Sequence, residues 1–167
     1  MNEQEFSQKV MIYSSKFYGY SYKILGDKDE AHDIVQDLYI KLWSIRQNLN
    51  SINSIEAFAT TIIRNLCIDR LKKTKNIAKH KDNYISLNQE ENTVHEDLNN
   101  DSEYKINLVR QAVKMLPEIQ QRVLIMRDFE EKEFEEISLE LNLTPENARV
   151  VLSRARKRIR ELIEMNL

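Results

Sequence analysis

The chain is poor in everything that interrupts a helix or closes a covalent loop: 167 residues contain 2 Gly, 2 Pro and 1 Cys. So few turn formers argue against a strand-rich sandwich or barrel and favour helices joined by short loops. A single cysteine, Cys67, excludes an intrachain disulfide; it falls on a helical pattern and reads as a small core residue rather than a nucleophile. No apolar run reaches the roughly 18 residues of a membrane-spanning helix. The first residues, Met1 to Lys9, lack the basic-then-apolar order of a secretory signal, so the chain is expected to be cytosolic. There is no glycine-rich loop to cradle a phosphate, and His32, His80 and His95 have neither metal-ligand spacing nor a paired nucleophile. Nothing in the sequence supports an enzyme, a cofactor, a metal or a small-molecule substrate. With 31% charged and 41% hydrophobic residues, the composition is that of small helical bundles.

What is present is concentrated at the C-terminal end. Thr144 suits an N-cap and Pro145 the first helical position, where a missing N–H costs nothing. The predicted helix that follows is apolar at Ala148, Val151, Leu152, Ala155, Ile159 and Leu162, a stripe of period 3.6 that has to be buried. Its remaining positions are basic: Arg149, Arg154, Arg156, Lys157, Arg158 and Arg160 lie between Asn147 and Arg160, with no acid among them. The short helix before it is acidic and offers Ile137, Leu139, Leu141 and Leu143 for packing. Residues 103–146 carry 6 basic and 10 acidic side chains, so a chain of net charge −2 has gathered positive charge on one helix. Two helices joined by a tight turn, the second cationic, predict a helix-turn-helix whose second helix enters a DNA major groove.

Taken in order, Phe6, Val10, Tyr13, Phe17, Tyr20 and Ile24 predict one amphipathic helix over about 3–25. Gly26-Asp27 is a stop and restart. A second helix from about Asp29 to Arg46 puts Ala31, Ile34, Val35, Leu38, Leu42 and Ile45 on one face. Asn53, with Glu56 three residues on, suggests a capping box opening a third helix that buries Ile55, Ala59, Ile62, Ile63, Leu66 and Cys67. Residues 76–102 carry 2 basic and 6 acidic side chains without a sustained period and predict a flexible acidic linker. Periodicity returns with Tyr104, Ile106, Val109, Ala112, Val113 and Leu116, and Pro117 opens a helix with Ile119, Val123, Leu124 and Ile125 or Met126. The expected fold is all-α: two small helical domains, 1–75 and 103–167, joined by the linker 76–102, the second domain containing the helix-turn-helix.

Four segments together carry a resemblance: Asp33 to Trp43, Arg64 to Arg70, Leu116-Pro117, and Leu152 to Lys157. In order and spacing the chain resembles the extracytoplasmic-function group of bacterial RNA polymerase sigma factors. The resemblance implies a region 2 domain, a region 4 domain, and a dissociable polymerase subunit that is monomeric when free. It implies as partners core RNA polymerase, promoter DNA and an anti-sigma factor.

Position by position, the resemblance makes Asp33, Gln36, Asp37, Tyr39, Ile40 and Trp43 the polymerase-docking set. Tyr39 and Trp43 fit equally well as members of the three-helix core. Phe58, Thr61, Arg64, Asn65 and Arg70 fall where the family faces the single-stranded −10 element. A flipped base there needs a plane to stack on and an amide to read its edge; Phe58 also fits a core role. Arg149, Val150, Ser153, Arg154 and Lys157 match the −35 readers, with Arg156, Arg158 and Arg160 adding positive charge. Arginine can read guanine O6/N7 bidentately and Val150 can pack on a thymine methyl. Val150-Val151 and Glu146-Asn147 depart from the family's commonest residues at those positions. The acidic linker resembles the segment that enters the polymerase cleft, and a solvated tether explains its composition as well.

Overall fold

The computed structural model describes the backbone of residues 1–82 and 100–165 and the side chains of 1–76 and 101–165. Among these residues there is no strand, and the chain divides into two compact units, Met1–Lys73 and Thr74–Leu167.

In the first unit α1 spans Glu3–Lys9, α2 Ser14–Leu25, α3 Lys28–Ser44, and α4 begins at Ile55 and runs to Asp82. The single helix expected over 3–25 is broken. Asn2 and Glu5 form a capping box on α1, but Met11–Tyr13 tighten into a 3-10 turn. Val10, Ile12 and Tyr13 are poor helix formers and Ser14-Ser15 follow them, so the helix is weakest there. Gly26 does stop α2: it adopts φ 70°, and its N–H reaches the Tyr22 carbonyl. Asp27 restarts the chain by accepting from the Glu30 N–H at 2.9 Å.

α2 packs on α3. Phe17, Ile24 and Leu25 meet the predicted stripe of α3, where Ala31, Ile34, Val35, Leu38 and Leu42 are buried and Ile45 half-buried. The cap of α4 lies one residue later than expected: the Ser54 hydroxyl, not Asn53, accepts from the Ala57 N–H at 3.2 Å. Its buried face also differs from the expected one. Ala59, Ile63, Cys67, Ile68 and Leu71 are buried, whereas Ile55, Ile62 and Leu66 are only half-buried. Burial pushes the Cys67 thiol up to about 12.

α4 passes the boundary expected at residue 75, because Asn76 to Asp82 contain neither Gly nor Pro to end it. Together with α5, which starts at Asn100, it gives residues 76–82 and 100–102 helical backbone where little regular structure was expected. Residues 83–99 of the expected linker lie outside the described residues.

In the second unit α5 spans Asn100–Lys114, α6 Glu118–Leu124, α7 Phe134–Leu141 and α8 Pro145–Met165. α5, α6 and α7 all pack against α8. Gln121, buried, donates its amide to the Val113 carbonyl at 2.9 Å and so satisfies an end of α5. After α6 the chain widens into a π-helical turn over Ile125–Phe129. The sequence explains it: Val123, Leu124, Ile125 and Met126 are four consecutive buried residues, more than one α-helical face can hold. A segment buried on several sides is enclosed by its neighbours, and the π turn begins within it at Ile125. Ala112, Val113 and Leu116 are buried as expected, but Tyr104, Ile106 and Val109 on the earlier turns of α5 are exposed.

Candidate nucleic-acid interfaces

The turn between α7 and α8 is built from local chemistry. Glu133 and Glu136 form a capping box on α7, and Asn142 ends it in the left-handed region at φ 54°. The Leu143 N–H then reaches the Ser138 carbonyl at 2.9 Å. Asparagine tolerates that conformation at small cost, which is why no glycine is needed here. Thr144 caps α8 as expected, its hydroxyl 3.1 Å from the Asn147 N–H, with Pro145 at the first position.

α8 presents the predicted face. Ala148, Leu152, Ala155 and Leu162 are buried, with Val151 and Ile159 half-buried. Arg149, Val150, Ser153, Arg154, Arg156, Lys157, Arg158 and Arg160 are all exposed. At about 100° per residue, Val150, Ser153 and Lys157 lie opposite the buried stripe. Arg149 and Arg156 fall on one flank of the exposed face, Arg154 and Arg158 on the other.

The first flank is engaged by the protein itself. Arg156 grips Asp128 of the π turn with Nη2 at 2.6 Å and Nε at 3.3 Å, and this bond to the carboxylate raises the Arg156 pKa further. The Arg149 guanidinium carbon lies 4.8 Å from the centre of the Phe134 ring, and Arg127 lies 4.7 Å from the same ring. Arg149 also approaches Glu135 at 4.0 Å, and on the other flank Arg158 lies 3.6 Å from Glu161. Leu139, expected to help pack α7, is instead 85% exposed.

In the first unit, Phe58, Thr61 and Asn65 lie along one row of α4, at i, i+3 and i+7. Asn65 is exposed; Phe58 and Thr61 are half-buried, and the Thr61 hydroxyl donates to the Ala57 carbonyl at 3.3 Å. Arg64 does not join them. It is 1% exposed, on the core-facing row beside Ile63, Cys67 and Ile68, and the expectation that it faces DNA is corrected. Arg70 lies on another side of α4, roughly 120–180° around the helix from that row, and approaches Asp37 of α3 at 4.0 Å. One residue expected to face DNA and one expected to face polymerase, Arg70 and Asp37, are therefore neighbours.

On α3, Asp33, Gln36, Asp37 and Ile40 are exposed, Ile40 by 68%. Trp43 is divided between the two roles left open by the sequence. It is 38% exposed, yet Phe6 packs on it edge-to-face at 5.1 Å and Arg46 covers it at 4.4 Å. Tyr39 is half-buried, its hydroxyl enclosed without a partner. His32 lies against Tyr18, ring centres 4.5 Å apart. Among the described residues no group of His, Cys, Asp and Glu could hold a metal, and no helix is long and apolar enough to cross a membrane.

Sequence reasoning missed Asp128, Arg127 and Phe134. Their only sequence signal was an aromatic at the first position of α7 and an acid preceding it within a charged loop, and neither has a periodic partner.

Known proteins match both units. Residues 10–77 match the Sigma-70 region 2 family and residues 106–159 match Sigma-70, region 4, together more than half the chain. The ECF RNA polymerase sigma factor SigW of Bacillus subtilis (strain 168) is 26% identical over 175 aligned positions, covering 96% of this chain and 89% of that protein. RNA polymerase sigma factor SigV of the same organism is 26% identical over 145 positions, 87% and 81% of the two chains. Among solved structures, the sigma factor RpoE from Bartonella quintana, determined with the anti-sigma factor NepR, superposes with a TM-score of 0.57 at 19% identity. It covers 98% of this chain and 99% of that one, a likeness of fold.

Proposed function

That the chain belongs to the sigma-70 family, in its extracytoplasmic-function group, is the premise from which we propose how its surfaces divide the work of starting transcription. The protein is a sigma factor: it binds core RNA polymerase and directs promoter-specific initiation, region 2 reading the −10 element and region 4 the −35 element. The observation that carries the residue-level reading is the exposed cationic face of α8, which follows an acidic α7 in a unit where residues 103–146 carry 10 acidic and 6 basic side chains.

In this reading Arg149, Val150, Ser153, Arg154 and Lys157 meet base edges in the major groove. Arg158 and Arg160 meet phosphates, where neutralised charge releases counterions and makes affinity fall with salt. Arg156, engaged by Asp128, holds the helix in place instead of contacting DNA. On α4, Asn65 reads an extruded base of the −10 strand beside Phe58 and Thr61, with Arg70 near the backbone. Asp33, Gln36, Asp37, Ile40 and the exposed part of Trp43 dock on polymerase, with 1–75 and 103–167 as the working domains. An anti-sigma factor is the proposed regulator, by analogy with the fold neighbour. The protein acts in the cytoplasm, as a monomer when free, without catalysis of its own, without a cofactor and without a small-molecule substrate.

Run-off transcription tests the reading. Core polymerase supplemented with this chain should initiate at a cognate promoter, and core polymerase alone should not. A stable homodimer that binds a palindrome without polymerase would instead make the chain an operator-binding regulator.

A further inference from the structure

We propose that Phe134 is a positioning residue for promoter recognition: its ring holds the Arg149 guanidinium at the orientation in which it reads the −35 element. The inference rests on the assignment of Arg149 to base reading given above.

Four observations carry it. Phe134 stands at the first position of α7, where the Glu133–Glu136 capping box fixes the backbone, so the ring has a fixed base. The Arg149 guanidinium carbon lies 4.8 Å from the ring centre, on the first turns of α8, the end that enters a groove in a helix-turn-helix. The second cation on the ring is anchored as well. Arg127 lies 4.7 Å from the same ring, donates to the Lys132 carbonyl at 2.8 Å and approaches Glu133 at 3.5 Å, so the ring is braced as well as placed. Finally, the Glu135 carboxylate approaches the tip of the long Arg149 side chain at 4.0 Å.

The physical consequence is preorganisation. An exposed arginine samples many rotamers, and ordering it on DNA costs entropy that subtracts from affinity. A guanidinium stacked on an aromatic ring keeps its in-plane N–H donors available, which is the geometry that bidentate reading of guanine requires. Removing the ring leaves Arg149 present and charged but unordered. Phosphate attraction is retained while discrimination at the base pair falls.

The experiment uses the full chain with core polymerase and a set of promoters bearing every single-base-pair substitution across the −35 element, read by run-off transcription. Arg149→Ala should flatten the preference at one or two base pairs. Phe134→Leu should flatten it at the same pairs, by about two- to fivefold, the range expected of an exposed cation–π contact. Phe134→Tyr should restore the preference. In the Arg149→Ala background, Phe134→Leu should change nothing further at those pairs. Thermal melting of each variant reports on packing separately. Phe134→Leu lowering activity equally on all promoters, or adding its full effect to that of Arg149→Ala, would reduce Phe134 to a packing residue and overturn the proposal. Should Arg149→Ala itself leave every base preference intact, the assignment of Arg149 to base reading fails, and the proposal falls with it.

Discussion

Asp128 and Arg156, 28 residues apart, meet through two hydrogen bonds of 2.6 and 3.3 Å that tie the π turn to the middle of α8. The sequence suggests a cation for DNA at position 156; in the structure that cation is paired with a carboxylate of its own chain. Both partners remain partly exposed to solvent, so the pair stabilises the unit by only about 0.2–1 kcal/mol. Asp128→Ala and Arg156→Ala should each cost that much in urea titrations, and the double variant no more than either. Their effects on DNA should differ. Asp128→Ala frees a cation and should steepen the salt dependence of promoter binding by up to about one phosphate contact, whereas Arg156→Ala should leave the slope unchanged.

The other cations of α8 should separate into two classes. Arg149→Ala or Arg154→Ala should weaken recognition by about 1–3 kcal/mol and relax preference at one or two base pairs. Arg158→Ala or Arg160→Ala should lower affinity evenly across sequences and reduce its salt dependence. Binding titrations over several salt concentrations and several −35 sequences read both quantities. Equal, sequence-independent losses for all four would show that α8 reads no bases.

Asn65 tests the first unit. Its exposed position on α4 means that Asn65→Ala should change stability by no more than ~0.5 kcal/mol and leave core polymerase binding intact. Transcription from a duplex promoter should fall, and fall less on a template mismatched over the −10 segment, because that template spares part of the few kcal/mol of unpairing. Loss of polymerase binding would instead make Asn65 a docking residue.

Arg64, one position away, should behave in the opposite manner. It is 1% exposed and is not without a partner. Arg64→Ala would leave a cavity and buried polar groups without their partner, so stability should fall by about 3 kcal/mol or more, seen as a lower melting temperature. Any transcription defect should follow the folded fraction and show no difference between duplex and mismatched templates.

The contrast between these neighbours shows what could be read from the residues alone. Helical periodicity placed α3 and α8 well, because their stripes are long, uninterrupted and opposed by charge. It misplaced the inner face of α4 by about one residue. Ile62, Leu66 and Ile68 are all apolar, so hydrophobicity alone does not say which of them turns inward. Arg64 is placed facing DNA by the family resemblance, although an arginine can be buried when its donors are satisfied. The caps at Gly26-Asp27 and Thr144-Pro145 were legible because each needs a particular residue type at a fixed offset. The contacts of Asp128 and Phe134 with α8 were not, since they join segments 28 and 15 residues apart and depend on a π turn that no spacing announces.

The burial of Cys67 makes the native chain behave, towards a maleimide or a disulfide reagent at neutral pH, as though it had no thiol. The sulfur is fully enclosed, and its pKa near 12 leaves almost none of it ionised. A single cysteine introduced on the outward row of α8, as in Ser153→Cys, or on the exposed face of α3 would then be the sole reactive handle. A fluorophore or photo-crosslinker could be placed at either surface with the core left unaltered, and followed as polymerase and promoter arrive in turn.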